Sequence, residues 1–175
     1  MRFRMLMIAG ALAVLPAAAE AQEGAGQPAC AATDTSLPPE MAGWKAKADL
    51  AAAAQAAELC KAELALGHAT TVTLRHTPDV SYAAQPEKPG GAAGYGGMLA
   101  LTVKDAGTYR IALSSGAWID VLNGKTTVAS TTHGHGPTCS TIRKIVDFPL
   151  EPGRYVIQLS ANADPVIAVM AWRQP

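Results

Sequence analysis

The sequence predicts a mainly β protein: an antiparallel β-sandwich or jelly roll with one N-terminal α-helix. Short segments alternate apolar and polar residues with a period of two, and Gly, Pro and Asn separate them. Asn123-Gly124, between two such segments, is the strongest short signal for a β-hairpin. Eight or so short strands with turns between them favour a sandwich over a helical or α/β fold.

The first 21 residues predict a cleaved signal peptide. Arg2 and Arg4 precede an apolar run over residues 5–15, and Ala19-Glu20-Ala21 fits a small-residue cleavage site. We expect cleavage before Gln22 and a periplasmic or secreted protein. The apolar run is short for a membrane span and no second run follows, so we expect no transmembrane segment in the mature chain.

Residues 22–38 have no periodicity and predict a flexible arm. Residues 39–64 predict a helical segment, because Pro38-Pro39 and Glu40 suit a first helical turn and alanine is abundant. An apolar stripe supports the helix and consists of Leu50, Ala54, Ala57 and Leu59.

Residues 65–175 predict the β-sandwich domain, and two of its segments echo each other. Residues 107–114 and 153–160 both begin with glycine and then place Tyr, Ile and Leu at alternate positions. The predicted core of the sandwich therefore includes Ile111, Leu113, Ile157 and Leu159. The other predicted strands lie in segments 69–75, 80–82, 98–103, 118–122, 125–129, 142–150 and 166–172.

The strand pattern from Met98 onward, with its Pro-Gly-x-Tyr-x-Ile-x-Leu segment, resembles pre-peptidase C-terminal domains and carbohydrate-binding modules. This resemblance implies a β-sandwich. The segment His133-Gly-His135-Gly-Pro-Thr-Cys139, continuing through Ile142-Arg-Lys144, resembles a family of small exported proteobacterial proteins of no established role. Some of its members are labelled homogentisate dioxygenase, but the His/His/carboxylate iron site of such an enzyme does not map onto this sequence.

Length, composition and charge limit the number of domains and the class of partner. The 175 residues suit one domain, and only 5% are aromatic. Formal net charge is zero, which argues against a nucleic-acid partner because such proteins carry a basic excess.

Three cysteines follow the predicted signal peptide: Cys30, Cys60 and Cys139. In an oxidising compartment two of them are expected to pair, and sequence leaves three pairings open. We favour Cys30 with Cys139, because Cys60 falls in the predicted helix, where it would be a buried free thiol.

One cluster of metal-capable side chains stands out. His133 and His135 would share a face of an extended segment, and Cys139 follows across a Gly-Pro bend. Imidazole and thiolate suit zinc or copper, with His76 as a further candidate ligand. The alternative is that the histidines are polar loop residues and that Cys139 is half of a disulfide.

A second candidate site binds a ligand instead of a metal. Trp118 and Asp120 are two apart on a predicted strand and share a face, which suits a sugar-stacking platform. The alternative places Trp118 in the core and pairs Asp120 with Arg143 or Lys144. Tyr95 lies in a Pro/Gly-rich loop, residues 85–97, which is long enough to cover a ligand.

Two classes of function follow. We favour an exported, non-catalytic binding or accessory protein whose partner is a small molecule, a glycan or a protein. The alternative is a metal-binding protein or metal-dependent oxidoreductase that uses the His133/His135 loop. The sequence contains no Gly-x-Ser-x-Gly nucleophile motif, and its glycine run lacks the Lys-Ser/Thr of a phosphate loop.

Overall fold

The computed structural model describes residue 30 and residues 33–175, which form eleven strands and three short 3-10 helices. The helices are Pro39–Trp44, Ala56–Lys61 and Thr77–Asp79. The strands are β1 (Lys47–Ala51), β2 (Ala69–Thr73), β3 (Arg75–His76), β4 (Tyr95–Val103), β5 (Gly107–Leu113), β6 (Trp118–Asn123), β7 (Thr126–Val128), β8 (Thr132–Gly134), β9 (Lys144–Leu150), β10 (Gly153–Asn162) and β11 (Val166–Arg173). The prediction of a mainly β protein is confirmed.

The strands form two sheets. The six-stranded sheet has the order β1-β2-β11-β5-β9-β8, and the five-stranded sheet has the order β3-β4-β10-β6-β7. Neighbouring strands are antiparallel, except that β1 runs parallel to β2.

The main core cluster draws side chains from both sheets. Ile111 and Leu113 on β5 and Ile157 and Leu159 on β10 are fully buried in it. The two echoing segments therefore form interior strands of different sheets. Their shared pattern follows from the same requirement, because alternate residues of a strand point to one face and that face is apolar.

A second apolar cluster covers the other face of the six-stranded sheet. Ala112 and Met170 belong to this cluster, and they alternate with Ile111 and Ala171 of the main cluster. The first 3-10 helix lies on this face and buries Met41 and Trp44 there. The Trp44 indole Nε1 donates a 2.8 Å hydrogen bond to Thr141 Oγ1.

The prediction of one helix over residues 39–64 is wrong, because this segment holds two 3-10 helices with β1 between them. Tertiary contacts override the helix propensity of alanine. Ala53 and Met98 exchange two backbone hydrogen bonds of 2.9 Å. Ala52 packs so closely on Gly97 that a Cβ on Gly97 would lie 2.5 Å from the Ala52 Cβ. The small side chains of this segment thus allow its backbone to approach and pair with β4.

Other boundaries also differ from prediction. The hairpin predicted at Asn123-Gly124 is present, but its two turn residues are Gly124 and Lys125, because Asn123 is the last residue of β6 and pairs with Thr126 of β7. Gly124, the first residue of the turn, has a positive φ of 63°. Residues 80–82 form no strand, and the long loop ends before Tyr95, where β4 begins. The predicted signal peptide, residues 1–21, and most of the predicted arm lie outside the described residues. Within the described part of the chain, no helix is long and apolar enough to cross a membrane.

Candidate functional site

Trp118 and Asp120 lie on the face of the five-stranded sheet that points away from the main core. Ile119 and Val121 belong to the core cluster, so the alternate residues of β6 project from the opposite face. The Trp118 indole Nε1 donates a 2.9 Å hydrogen bond to Oδ1 of Asp120. Asp120 is 5% exposed, whereas Trp118 is half-buried. The carboxylate thus fixes a ring that solvent still reaches.

Two lysine ammonium groups lie over the Trp118 ring. Lys88 Nζ is 4.2 Å from the ring centroid and Lys144 Nζ is 5.0 Å from it, both within cation–π range. Lys144 also donates a 2.9 Å hydrogen bond to the Ala117 carbonyl oxygen. We call Trp118, Asp120, Lys88 and Lys144 the Trp118 cluster.

The electrostatics of this cluster favour an incoming negative charge. Burial lowers the pKa of Lys144 from the ordinary lysine value, and the positive charge of Lys88 lowers it further, while Asp120 acts in the opposite direction. Two cations therefore lie near one buried carboxylate. An anionic group placed beside both lysines would relieve their repulsion.

The loop that carries Lys88 is held against the sheet by five hydrogen bonds. Tyr82 donates from its hydroxyl to the Leu159 carbonyl at 3.0 Å, and the Glu87 amide donates to Asp120 Oδ2 at 3.3 Å. Gln158 binds both backbone groups of Ala84, at 3.0 and 3.1 Å. Ser160 Oγ donates to the Lys88 carbonyl at 2.7 Å. These contacts hold the backbone at Lys88 in place while its side chain stays exposed.

A small cavity opens beside the Trp118 ring. Its volume is about 230 Å³, below the range typical of pockets that enclose a whole drug-sized ligand. It therefore suits one group of a larger ligand. Its lining includes Trp118, Asp120, Thr127, Val128 and Phe148.

The structure does not bring Tyr95 to this cluster. Tyr95 packs against the main core, and its ring lies 4.6 Å from that of His76 at an interplanar angle of 57°. The ligand-binding role of Tyr95 stays a prediction, separate from the Trp118 cluster. Its place in the long loop suggested an exposed ring, but Tyr95 is the first residue of β4 and pairs with His76 of β3.

The predicted metal ligands do not converge. His133 is exposed on β8 at the edge of the six-stranded sheet, whereas His76 lies on β3 at the edge of the other sheet. His135 follows the end of β8, and its Nδ1 lies 3.1 Å from the Arg143 carbonyl oxygen. The described residues contain no group of three or more His, Cys, Asp and Glu side chains placed to share an ion. The four-residue site is wrong, and the two-histidine site stays a prediction.

Cys139 is joined to Cys30 by a disulfide, which is the pairing that we favoured. A bonded sulfur is no thiolate, so Cys139 cannot serve as the predicted metal ligand. Cys60 is free, but it is exposed on the second 3-10 helix and not buried as predicted.

Sequence reasoning missed Lys88, Gln158 and Ser160 as parts of the Trp118 site. The sequence pattern could have identified Gln158 and Ser160, since they are the polar positions that alternate with the apolar Ile157 and Leu159 and so face away from the core. They are fully buried because the loop covers them.

No protein-family model matches the chain, and no curated protein is similar to it. Function is therefore inferred from the geometry of the site.

Proposed function

We propose that the protein is an exported, non-catalytic binding protein with a β-sandwich fold, and that the Trp118 cluster binds an acidic saccharide. One observation carries the proposal: a partly exposed indole, held by a buried carboxylate, lies beneath two ammonium groups.

The indole suits the apolar face of a sugar ring, and the lysines suit its carboxylate. Lys88 is exposed, so a ligand can displace its ammonium group from the ring. Losing one exposed cation–π contact costs about 0.5–1 kcal/mol. A hydrogen bond to a charged group contributes about 1.5–3 kcal/mol, so exchanging the ring for a carboxylate is favourable.

Export is supported by the predicted signal peptide and by the Cys30–Cys139 disulfide. Disulfides persist in oxidising compartments such as the periplasm and are rare in the cytosol. The resemblances to carbohydrate-binding modules and to small exported proteobacterial proteins agree with this proposal. Two sheets that share one core are the arrangement expected of a sandwich.

Tryptophan fluorescence tests the proposal directly, because Trp44 and Trp172 are 0% and 4% exposed and Trp118 is the ring that a ligand can reach. The purified protein is titrated with oligosaccharides of a uronic acid and, separately, with neutral glucose oligosaccharides. We expect a saturable fluorescence change with the acidic series and a much weaker one with the neutral series. Equal responses to both would overturn the acidic ligand class, and no saturable response to either would overturn the binding function.

Calorimetry on variants locates the binding site. We expect Trp118→Ala, and separately the double variant Lys88→Ala with Lys144→Ala, to weaken binding of the acidic oligosaccharide at least about tenfold. Lys125→Ala is the matched control, since Lys125 is an exposed lysine in the β6–β7 turn. A loss of affinity in Lys125→Ala equal to that in the double variant would mean that binding reports net charge alone.

A further inference from the structure

A polar row crosses three strands on the outer face of the six-stranded sheet. Thr132 on β8, Asp147 on β9 and Arg110 on β5 occupy paired positions. Arg110 Nε lies 3.1 Å from Asp147 Oδ1, and Thr132 Oγ1 and Gln174 Nε2 donate to Asp147 Oδ2 at 2.8 and 3.2 Å. Asp147 is 6% exposed, so this carboxylate is both buried and fully engaged.

This arrangement leaves most of the Arg110 guanidinium group free. Only Nε contacts Asp147, and among the described residues the two terminal Nη atoms donate to no partner. A guanidinium group carries five N–H donors in a fixed plane, and its terminal edge matches two oxygens of a carboxylate or phosphate. The Arg110 side chain is 34% exposed, so solutes reach it.

Arg110 borders an open cavity of about 350 Å³. Met41 and Ile145 supply apolar surface, and the chain from His133 to Pro137 forms another part of the lining. Gly136 lets this chain pack closely on Ile142, just before β9, since a Cβ at Gly136 would lie 2.5 Å from the Ile142 Cβ. Asp147 accepts a hydrogen bond from Arg110 Nε and thereby fixes the guanidinium group, so its free terminal edge is preorganised.

We propose that this cavity, which we call the Arg110 cavity, binds a small oxyanion, a carboxylate or a phosphate group, through the terminal Nη atoms of Arg110. The site lies on the other sheet from the Trp118 cluster and does not depend on the saccharide proposal. It gives the His133–Pro137 segment a role in enclosing an anion instead of a metal.

Two-dimensional amide NMR of the whole mature protein tests this proposal, with acetate and inorganic phosphate as probes at constant ionic strength and chloride as the reference anion. We expect saturable shifts of the Gly134 and Gly136 amides with acetate, phosphate or both. A response to one probe alone assigns the site to that oxyanion. No saturable shift with either probe, or equal shifts with chloride, would overturn the proposal.

Two variants of Arg110 separate a specific site from general attraction. Arg110→Gln removes the donors, and we expect at least about tenfold weaker binding. Arg110→Lys keeps the charge beside Asp147 but loses the planar edge, and we expect weaker binding from this variant even if Arg110→Gln fails to fold. Arg154→Gln is the matched control, because Arg154 is an exposed arginine paired with Glu63. Binding by Arg110→Lys equal to that of the unaltered protein would overturn the role of the guanidinium group.

Discussion

Tyr82 and Asp120 come from different parts of the chain and are coupled by charge. Burial of the Tyr82 hydroxyl, followed by the negative charge of Asp120, raises the pKa of Tyr82 to about 12 from an ordinary value of 10.0. Both residues help to fasten the loop that carries Lys88. Protonation of Tyr82 thus keeps a donor in place for the Leu159 carbonyl.

This coupling predicts a loss of stability in alkali. The unfolded chain releases the tyrosine proton near pH 10 and the folded chain near pH 12, so the free energy of unfolding falls as pH rises through that window. Tyr82→Phe removes this contribution, and urea melts at stepped pH values measure it. An alkaline loss of stability in Tyr82→Phe as steep as in the unaltered protein would contradict the prediction. Asp120→Asn should lower the pKa of Tyr82, which ultraviolet titration detects.

Leu159 tests the core. It is 0% exposed and belongs to the main core cluster, so Leu159→Ala should reduce the free energy of unfolding by about 2–5 kcal/mol. Val166→Ala is the control, because Val166 is 47% exposed and its truncation should change stability by less than about 0.5 kcal/mol. Denaturant melts compare the two variants. A similar small effect for both would mean that Leu159 is not a core residue.

The disulfide is expected to stabilise the fold strongly. It closes a loop with a sequence separation of 109 residues, and the entropy of a loop of that size corresponds to several kcal/mol. We expect the double variant Cys30→Ser with Cys139→Ser to lose about 2–5 kcal/mol in chemical denaturation. Cys60→Ser should leave stability unchanged, since Cys60 is free and exposed. Unchanged stability without the disulfide would contradict this prediction and show that noncovalent packing alone stabilises the fold.

The two-histidine metal site has its own test. With Cys139 bonded, His133 and His135 are the ligands that remain in that loop, and two exposed imidazoles bind zinc or copper weakly. We therefore expect zinc or copper to change the melting temperature very little. A clear rise that disappears in the double variant His133→Ala with His135→Ala would contradict this expectation and restore a metal function.

Export predicts a defined N-terminus. Cleavage after Ala21 leaves Gln22 as the first residue, because Ala19-Glu20-Ala21 fits the recognition pattern. Mass spectrometry of protein recovered from the periplasm or the medium measures that terminus. An uncleaved protein found in the cytoplasm would contradict both export and the proposed binding function.

Periodicity predicted much of the fold, because side-chain alternation is a local property of each strand. The core positions Ile111, Leu113, Ile157 and Leu159 followed from it, as did the shared face of Trp118 and Asp120. The helix predicted over residues 39–64 was wrong because it was based on the high helix propensity of alanine, which is a local property. The backbone pairing of Ala53 with Met98 is a long-range contact that propensity does not predict. Lys88 was not predicted as a partner of Trp118, and Lys144 was considered only as a partner of Asp120. Each lysine comes from another segment of the chain, and no spacing in the sequence predicts its contact with the ring.

The bond between Cys30 and Cys139 also orders events in time. Cys30 is synthesised long before Cys139, so in an exported protein, as proposed here, the bond forms only after the strands between the two residues have reached an oxidising environment. Until then the first 3-10 helix, which carries Trp44, is held only by noncovalent contacts such as the hydrogen bond from Trp44 to Thr141 in the loop before β9. For an exported protein, as proposed here, oxidation is thus a late step of maturation, and protein made in a reducing cytosol would lack the covalent link between Cys30 and Cys139.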